Sequence, residues 1–127
     1  MITKFEIFEQ NSIKKVFENE YDIYGELLDS IVCGKFAKFR RLIESKPKPN
    51  DININGKGEL LFLATESQFI WMIEELTKLG ADWLIKNSEN NYFLDYLNEG
   101  HKMRLKKLFP KKYKEYLFRK SVDNYNL

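Results

Sequence analysis

The side chains with the strongest chemical potential are few and far apart. Cys33 and His101 are the chain's only cysteine and its only histidine. Together they could make a thiolate nucleophile and its base, but only if the fold brought them into contact. Glu74 and Glu75 are the most conspicuous carboxylate pair. Adjacent residues on a helix do not face one another, so this pair offers no acid and base partnership and reads as solvated. Gly56-Lys57-Gly58 lacks both the spacing and the following Ser or Thr of a phosphate-binding loop. A zinc site would need clustered Cys, His or carboxylate ligands, and one Cys and one His cannot supply them. No metal, cofactor or catalytic residue is expected, and the chain is read as non-enzymatic.

The elements that would position these residues follow from a repeat. Laid against itself at an offset of about 33 residues, the chain aligns Leu28 with Leu61 and Leu94, and Ile31 with Ala64 and Leu97. The same offset aligns Phe39, Met72 and Leu105, and then Ile43, Leu76 and Phe109. Gly25, Gly58 and Asn91 recur in phase as loop residues, as do Gly34, Ser67 and Gly100. Within each unit the first apolar pair is spaced by three and the second by four, which puts both members on one helix face. Each unit is therefore expected to be two short helices. Helices of two or three turns are marginal alone in water, so the units must bury their apolar stripes against one another. In such a stack Cys33 and His101 occupy turns two periods apart, roughly 20 Å at helix-packing distance. They cannot form a dyad, and Cys33 reads as a small, partly buried packing residue.

The breaks support this division. Gly34 and Gly100 fall between the first and second helices of their units, where a turn can demand a positive φ. Gly80 closes the second helix of the middle unit. Pro47, Pro49 and Pro110 stand just past second helices, where the ring cannot continue a helix. The stretches Lys46 to Lys57 and Lys86 to Asn91 are dense in turn formers and read as projecting loops. Ser12 to Glu20, with Ile13, Val16 and Phe17 on one face, is predicted as an N-terminal cap helix. Lys111 to Lys120, with Tyr113, Tyr116 and Leu117, is predicted as a C-terminal one, and Ser121 to Leu127 as a fraying tail.

Gly58-Glu59-Leu60-Leu61-Phe62-Leu63-Ala64-Thr65, followed by Met72-Ile73, Leu76 and Gly80-Ala81-Asp82, resembles an ankyrin repeat. Asn91-Tyr92-Phe93-Leu94-Asp95-Tyr96-Leu97, leading to Gly100-His101, is similar to the variant of that repeat with Leu-Asp-Tyr before a Gly-His turn. Gly25 to Ile43 fits more loosely. The family's Thr-Pro is replaced by Glu59-Leu60 and Tyr92-Phe93, and Pro47 stands where the first unit's closing glycine belongs. The fold class expected is all-α, an ankyrin-like helical solenoid of about three helix-turn-helix repeats with N- and C-terminal capping helices. The expected divisions are 1–23 for the first cap, 24–54, 55–87 and 88–110 for the repeats, and 111–127 for the basic cap and tail. The resemblance also implies that His101 is a turn residue bonded to nearby backbone, and places Trp83 at a usually semi-buried position, so that burial is expected. Trp71, on a second helix, is open between core and interface anchor.

The same resemblance implies protein binding through loop tips and the exposed faces of first helices. Carried over by position, it nominates Asn55, Lys57, Glu59, Glu66 and Ser67 on the middle unit. On the third unit it nominates Ser88, Glu89, Asn91, Asn98 and Glu99. The 127-residue chain has 21 Lys and Arg against 19 Asp and Glu, too even a balance to point to nucleic acid or membrane by itself. The charge is nonetheless segregated, with an acidic beginning over residues 1 to 30 and a basic end over 102 to 120. Two solvated faces account for this, and a nucleic-acid-binding C-terminal helix, with Tyr113 or Tyr116 stacking on bases, is the alternative. A single cysteine suits a reducing compartment, and Met1 to Gln10 holds no long apolar run, so a cytoplasmic monomer without signal or membrane span is expected. Richness in Lys, Asn, Ile and Phe fits an AT-rich microbial or viral genome. An inhibitor or immunity protein that blocks a toxin or defence enzyme is the role preferred over an adaptor or scaffold.

Overall fold

A computed structural model of the chain describes residues 23–52 and 58–125. The cap expected at Ser12 to Glu20 and the nominated Asn55 and Lys57 lie outside the described residues. The described chain is all-helical. Helix α1 spans residues 23–32, α2 Phe36–Glu44, α3 Pro49–Ile52, α4 Glu59–Glu66 and α5 Ile70–Lys78. A 3-10 turn, Phe93–Tyr96, precedes α6 (Glu99–Leu108) and α7 (Pro110–Tyr125). No helix among the described residues is long and apolar enough to cross a membrane.

One apolar core runs through these elements. Leu27 and Ile31 of α1, Phe39 of α2, Leu60, Leu61 and Ala64 of α4, and Met72, Ile73 and Leu76 of α5 are all buried in it. Phe93, Leu94 and Leu97 extend it to the 3-10 turn, and Leu105 and Tyr116 to the last two helices. Short helices with this spacing gain their stability from such shared burial. Helix α4 packs on both α5 and the 3-10 turn, and α6 packs on α7.

Two pairs of turns share a backbone geometry at a fixed spacing. Gly34 and Gln68, 34 positions apart, both have left-handed φ of 56–66°. Matching backbone bonds flank them: Lys35 N–H donates to Ser30 O at 2.8 Å and Phe69 N–H to Ala64 O at 2.9 Å. Lys46 and Gly80, again 34 apart, both have positive φ and end α2 and α5. The geometry of these turns thus recurs at a spacing of 34, one more than the offset that aligns Leu28 with Leu61. Leu27 is the fully buried counterpart of Leu61, while Leu28 is only half-buried against the core.

Several expectations are corrected. The first element of the third unit is one 3-10 turn instead of an α-helix, because Leu97 turns extended (φ −82°, ψ 149°) and Asn98 already caps α6. Gly25 lies within α1 and Gly100 within the first turn of α6, so neither is a loop glycine. The stretch after Lys46 holds α3, whose Ile52 is 1% exposed, so this part of the expected projecting loop is docked on the core. Cys33 is exposed, its thiol facing Asp29, and is not a packing residue. Glu74 is buried instead of solvated, because Arg104 reaches it from α6 and grips both carboxylate oxygens. Helix α7 continues through Tyr125 where fraying was expected. Its last turns are anchored by Asp123, which accepts from the Tyr92 hydroxyl at 2.8 Å and pairs with Lys86 at 2.9 Å.

The tryptophans settle on two fates. Trp83 is buried, donates Nε1–H to Thr77 Oγ1 at 2.9 Å and meets Phe93 and Phe109 edge-on. Trp71 is half-buried between Phe39 and the Arg40 guanidinium, which lies 5.1 Å from its ring centroid.

Candidate functional site

Asn87 begins a closed loop. Its side-chain oxygen accepts from the N–H groups of Glu89 and Asn91, both at 3.0 Å, and its backbone N–H donates to Asn91 O at 2.9 Å. Asn90 takes the left-handed φ of 67° that the loop requires, a conformation asparagine tolerates better than most residues. The amides of Asn87 and Asn91 then both donate to the Tyr96 hydroxyl, at 2.9 and 3.0 Å. That hydroxyl donates in turn to Glu89 Oε1 at 3.0 Å. With two bonds accepted and one donated, the phenol oxygen is saturated, and the loop is held to the ring from three sides.

Between this loop and α4 lies a groove of ≈ 530 Å³. Phe62, Thr65 and Glu66 of α4 form one wall, with Gln68 at its end; Asn87, Ser88 and Glu89 form the other, and Tyr96 lines the space between. The Phe62 and Tyr96 rings meet edge-on, 6.4 Å between centroids. The groove continues past Phe62 and Ser88 into a second depression of ≈ 460 Å³ bordered by Glu59 and Lys86.

Electrostatics along the groove are uneven. Glu59 accepts a hydrogen bond from the Tyr24 hydroxyl of α1. Burial, with that carboxylate second, pushes the Tyr24 phenol well above its ordinary value. Lys86 directs its ammonium to Asp123 of α7, passing over the Tyr92 ring. Among the described residues Glu66 has no cationic partner.

Gln68 ties the end of the groove to the next unit. Its amide donates to Thr65 O at 3.0 Å and to Tyr96 O at 3.3 Å, and its Oε1 accepts from Asn98 Nδ2 at 3.2 Å. His101 Nδ1 lies 3.1 Å from the same oxygen. The imidazole thus faces a side chain of the preceding unit from within α6, which corrects the expectation of a turn residue bonded to nearby backbone. It has no contact with Cys33, whose thiol bonds to Asp29.

Of the nominated residues, Glu59, Glu66, Ser88 and Glu89 come together along the groove. Asn91 braces the Tyr96 hydroxyl from behind the loop. Asn98 caps α6, its Oδ1 accepting from His101 N–H at 2.8 Å. Ser67 is exposed at the end of α4, and Glu99 is exposed in the first turn of α6 beside Lys102. Phe62, Gln68, Asn87 and Tyr96 are the lining residues that positional reasoning missed. The run Asn87-Ser88-Glu89-Asn90-Asn91 carried a signal for Asn87, since so many side-chain amides in one loop need acceptors, but none for Phe62 or Gln68. No family model, curated protein or solved structure matches this chain.

Proposed function

We propose that this protein is a non-catalytic binding module, a degenerate ankyrin-type stack that receives a segment of another protein in the groove between α4 and the loop at 85–91. The observation that carries this reading is the Tyr96 hydroxyl, bonded to Asn87, Glu89 and Asn91 at once. These bonds form the groove in advance, so a partner meets an ordered surface and association costs little additional chain entropy. The recurrence of helix-turn-helix geometry at Gly34 and Gln68 supports the repeat assignment. Blocking the partner, in the manner of an inhibitor or immunity protein, is the simplest role for a groove formed in advance. The nucleic-acid alternative loses one of its two stacking residues, because Tyr116 is buried and bonded to Asp95.

A photo-crosslinking amino acid placed at Ser88, and separately at Lys114 on the outer side of α7, tests the reading in the native host. Protein adducts are expected at Ser88 and are expected to disappear with Tyr96→Ala. Adducts confined to Lys114, or to nucleic acid, would overturn it.

A further inference from the structure

Resting on that reading, we infer that the groove's occupant is an arginine-bearing segment of the partner, with a guanidinium laid over the Tyr96 ring between the carboxylates of Glu66 and Glu89. Three carboxylates border the groove and its continuation, from Glu59, Glu66 and Glu89. Against them stands Lys86, whose ammonium is already neutralised by Asp123 at 2.9 Å. The Glu89 carboxylate accepts from the Tyr96 hydroxyl, a neutral donor that leaves its charge in place. Among the described residues, an incoming cation therefore meets uncompensated negative charge on both walls, and an anionic segment is repelled.

The floor selects the kind of cation. Tyr96 is 42% exposed, and its hydroxyl is saturated, so the ring itself is the surface on offer. Phe62 borders it edge-on. The negative face of an aromatic ring attracts a cation, and a planar guanidinium can stack there while its N–H groups fork to flanking carboxylates. An ammonium is also drawn to a ring face, as Lys86 is to Tyr92, but as a compact, strongly hydrated point charge it cannot lie flat on the ring and fork to two carboxylates. The protein makes the same kind of contact within itself, where Arg40 lies 5.1 Å from the Trp71 ring centroid.

The test uses the full chain labelled with nitrogen-15 and three capped peptides alternating glycine with arginine, with lysine, or with citrulline, the uncharged analogue of arginine. The arginine peptide is expected to shift amide resonances of residues 59–68 and 86–96, with the lysine peptide several-fold weaker and the citrulline peptide weaker still. Glu66→Gln and Glu89→Gln are each expected to weaken the arginine peptide about threefold to tenfold. Raising ionic strength from ~0.01 M to ~0.15 M, which shortens the screening length from ~30 to ~8 Å, is expected to weaken it about tenfold. Equal shifts with citrulline, or affinity unchanged in both glutamine variants, would overturn the arginine assignment while leaving the groove as the binding surface. Arginine-dependent shifts confined to α6 and α7, or no shifts with any peptide, would overturn it outright. Loss of the groove reading itself is registered separately, by the position of the crosslinks.

Discussion

The Tyr116 hydroxyl donates to Asp95 Oδ1 at 2.7 Å, joining the last helix to the 3-10 turn 21 positions earlier. The same oxygen receives Lys120 Nζ at 2.8 Å, and Asp95 Oδ2 receives Tyr92 N–H at 2.9 Å. One carboxylate thus closes the 3-10 turn and seats α7 upon it. Asp95 immediately precedes Tyr96, so the seat of α7 and the floor of the groove lie on adjacent residues of one 3-10 turn.

Replacing Tyr116 with Phe keeps the ring contacts to Tyr92 and Tyr113 and removes only the hydroxyl. Loss of a hydrogen bond to a charged acceptor is expected to cost about 1–2 kcal/mol, somewhat below the upper range because Lys120 remains. Urea denaturation measures it. A loss below about half a kcal/mol would mean that Lys120 and the backbone already satisfy the carboxylate.

Stability should fall at both ends of the pH range. Burial raises the Asp95 carboxyl, but Lys120, Tyr116 and the Tyr92 N–H outweigh it and hold the group below the ordinary range. Lys86 and then Tyr92 depress Asp123, and Lys38 and then Lys35 lower Asp29 to about 2. Depressed carboxyls bind fewer protons folded than unfolded, so their contribution is complete above about pH 4 and is lost as pH drops further. Tyr116 and Tyr92 are raised by burial first and by their carboxylate partners second, Tyr92 to about 12. Their contribution is present below about pH 10, where the unfolded phenols begin to ionise, and is lost above it. Asp95→Asn should flatten the acid limb, and Tyr116→Phe the alkaline one, in denaturation curves collected across pH.

Gly80 has φ +102°, and a Cβ there would lie 2.8 Å from Pro49 Cγ. Gly34 shares the positive φ, but a Cβ would meet only Phe69, at 3.7 Å. Both alanine substitutions should incur the left-handed strain of about 1–2 kcal/mol, with Gly80→Ala costing more through the overlap. Adding Pro49→Ala should recover part of the Gly80→Ala loss and none of the Gly34→Ala loss, read from thermal midpoints of the four variants.

Arg104 is half-exposed while its partner Glu74 is nearly buried, so removing the arginine strands a carboxylate in the core. Arg104→Ala is expected to destabilise the fold, by less than the loss of a partner from a fully buried pair because the guanidinium is open to solvent. With Glu74→Gln already present the same substitution should cost less. A double-mutant cycle with coupling near zero would show that the pair only coexists.

Gln68 holds a left-handed turn that glycine would adopt more cheaply, yet its amide spans Thr65, Tyr96 and Asn98. Gln68→Gly relieves about 1 kcal/mol of backbone strain and gives up several bonds of about 0.5–1.5 kcal/mol each. Net destabilisation is expected, together with a change in the His101 imidazole resonances. Stabilisation would show that the bonds contribute less than the strain.

Apolar spacing alone determined α2, α4, α5 and most of the core, but neither α3 nor the 3-10 form of Phe93–Tyr96. Leu61, Ala64, Met72, Leu76, Leu94 and Leu105 were legible because helix periodicity is local, and a short helix must bury its apolar stripe somewhere. Gly34 and Gly80 were legible for a similar reason, since a left-handed turn selects its residue by backbone sterics. The 34-residue register was not, because Leu27 and Leu28 are equally apolar and only packing distinguishes them.

The polar architecture was decided by tertiary structure. Glu74 looks solvated until Arg104 arrives from 30 positions away, and nothing in the spacing of Tyr96 tells that a loop's amides converge on its hydroxyl. A polar group's fate depends on partners that other elements deliver, and desolvation makes the outcome hinge on whether they arrive. The chain by itself specifies which faces must be hidden; three-dimensional assembly settles which charges are matched and where a groove is left open.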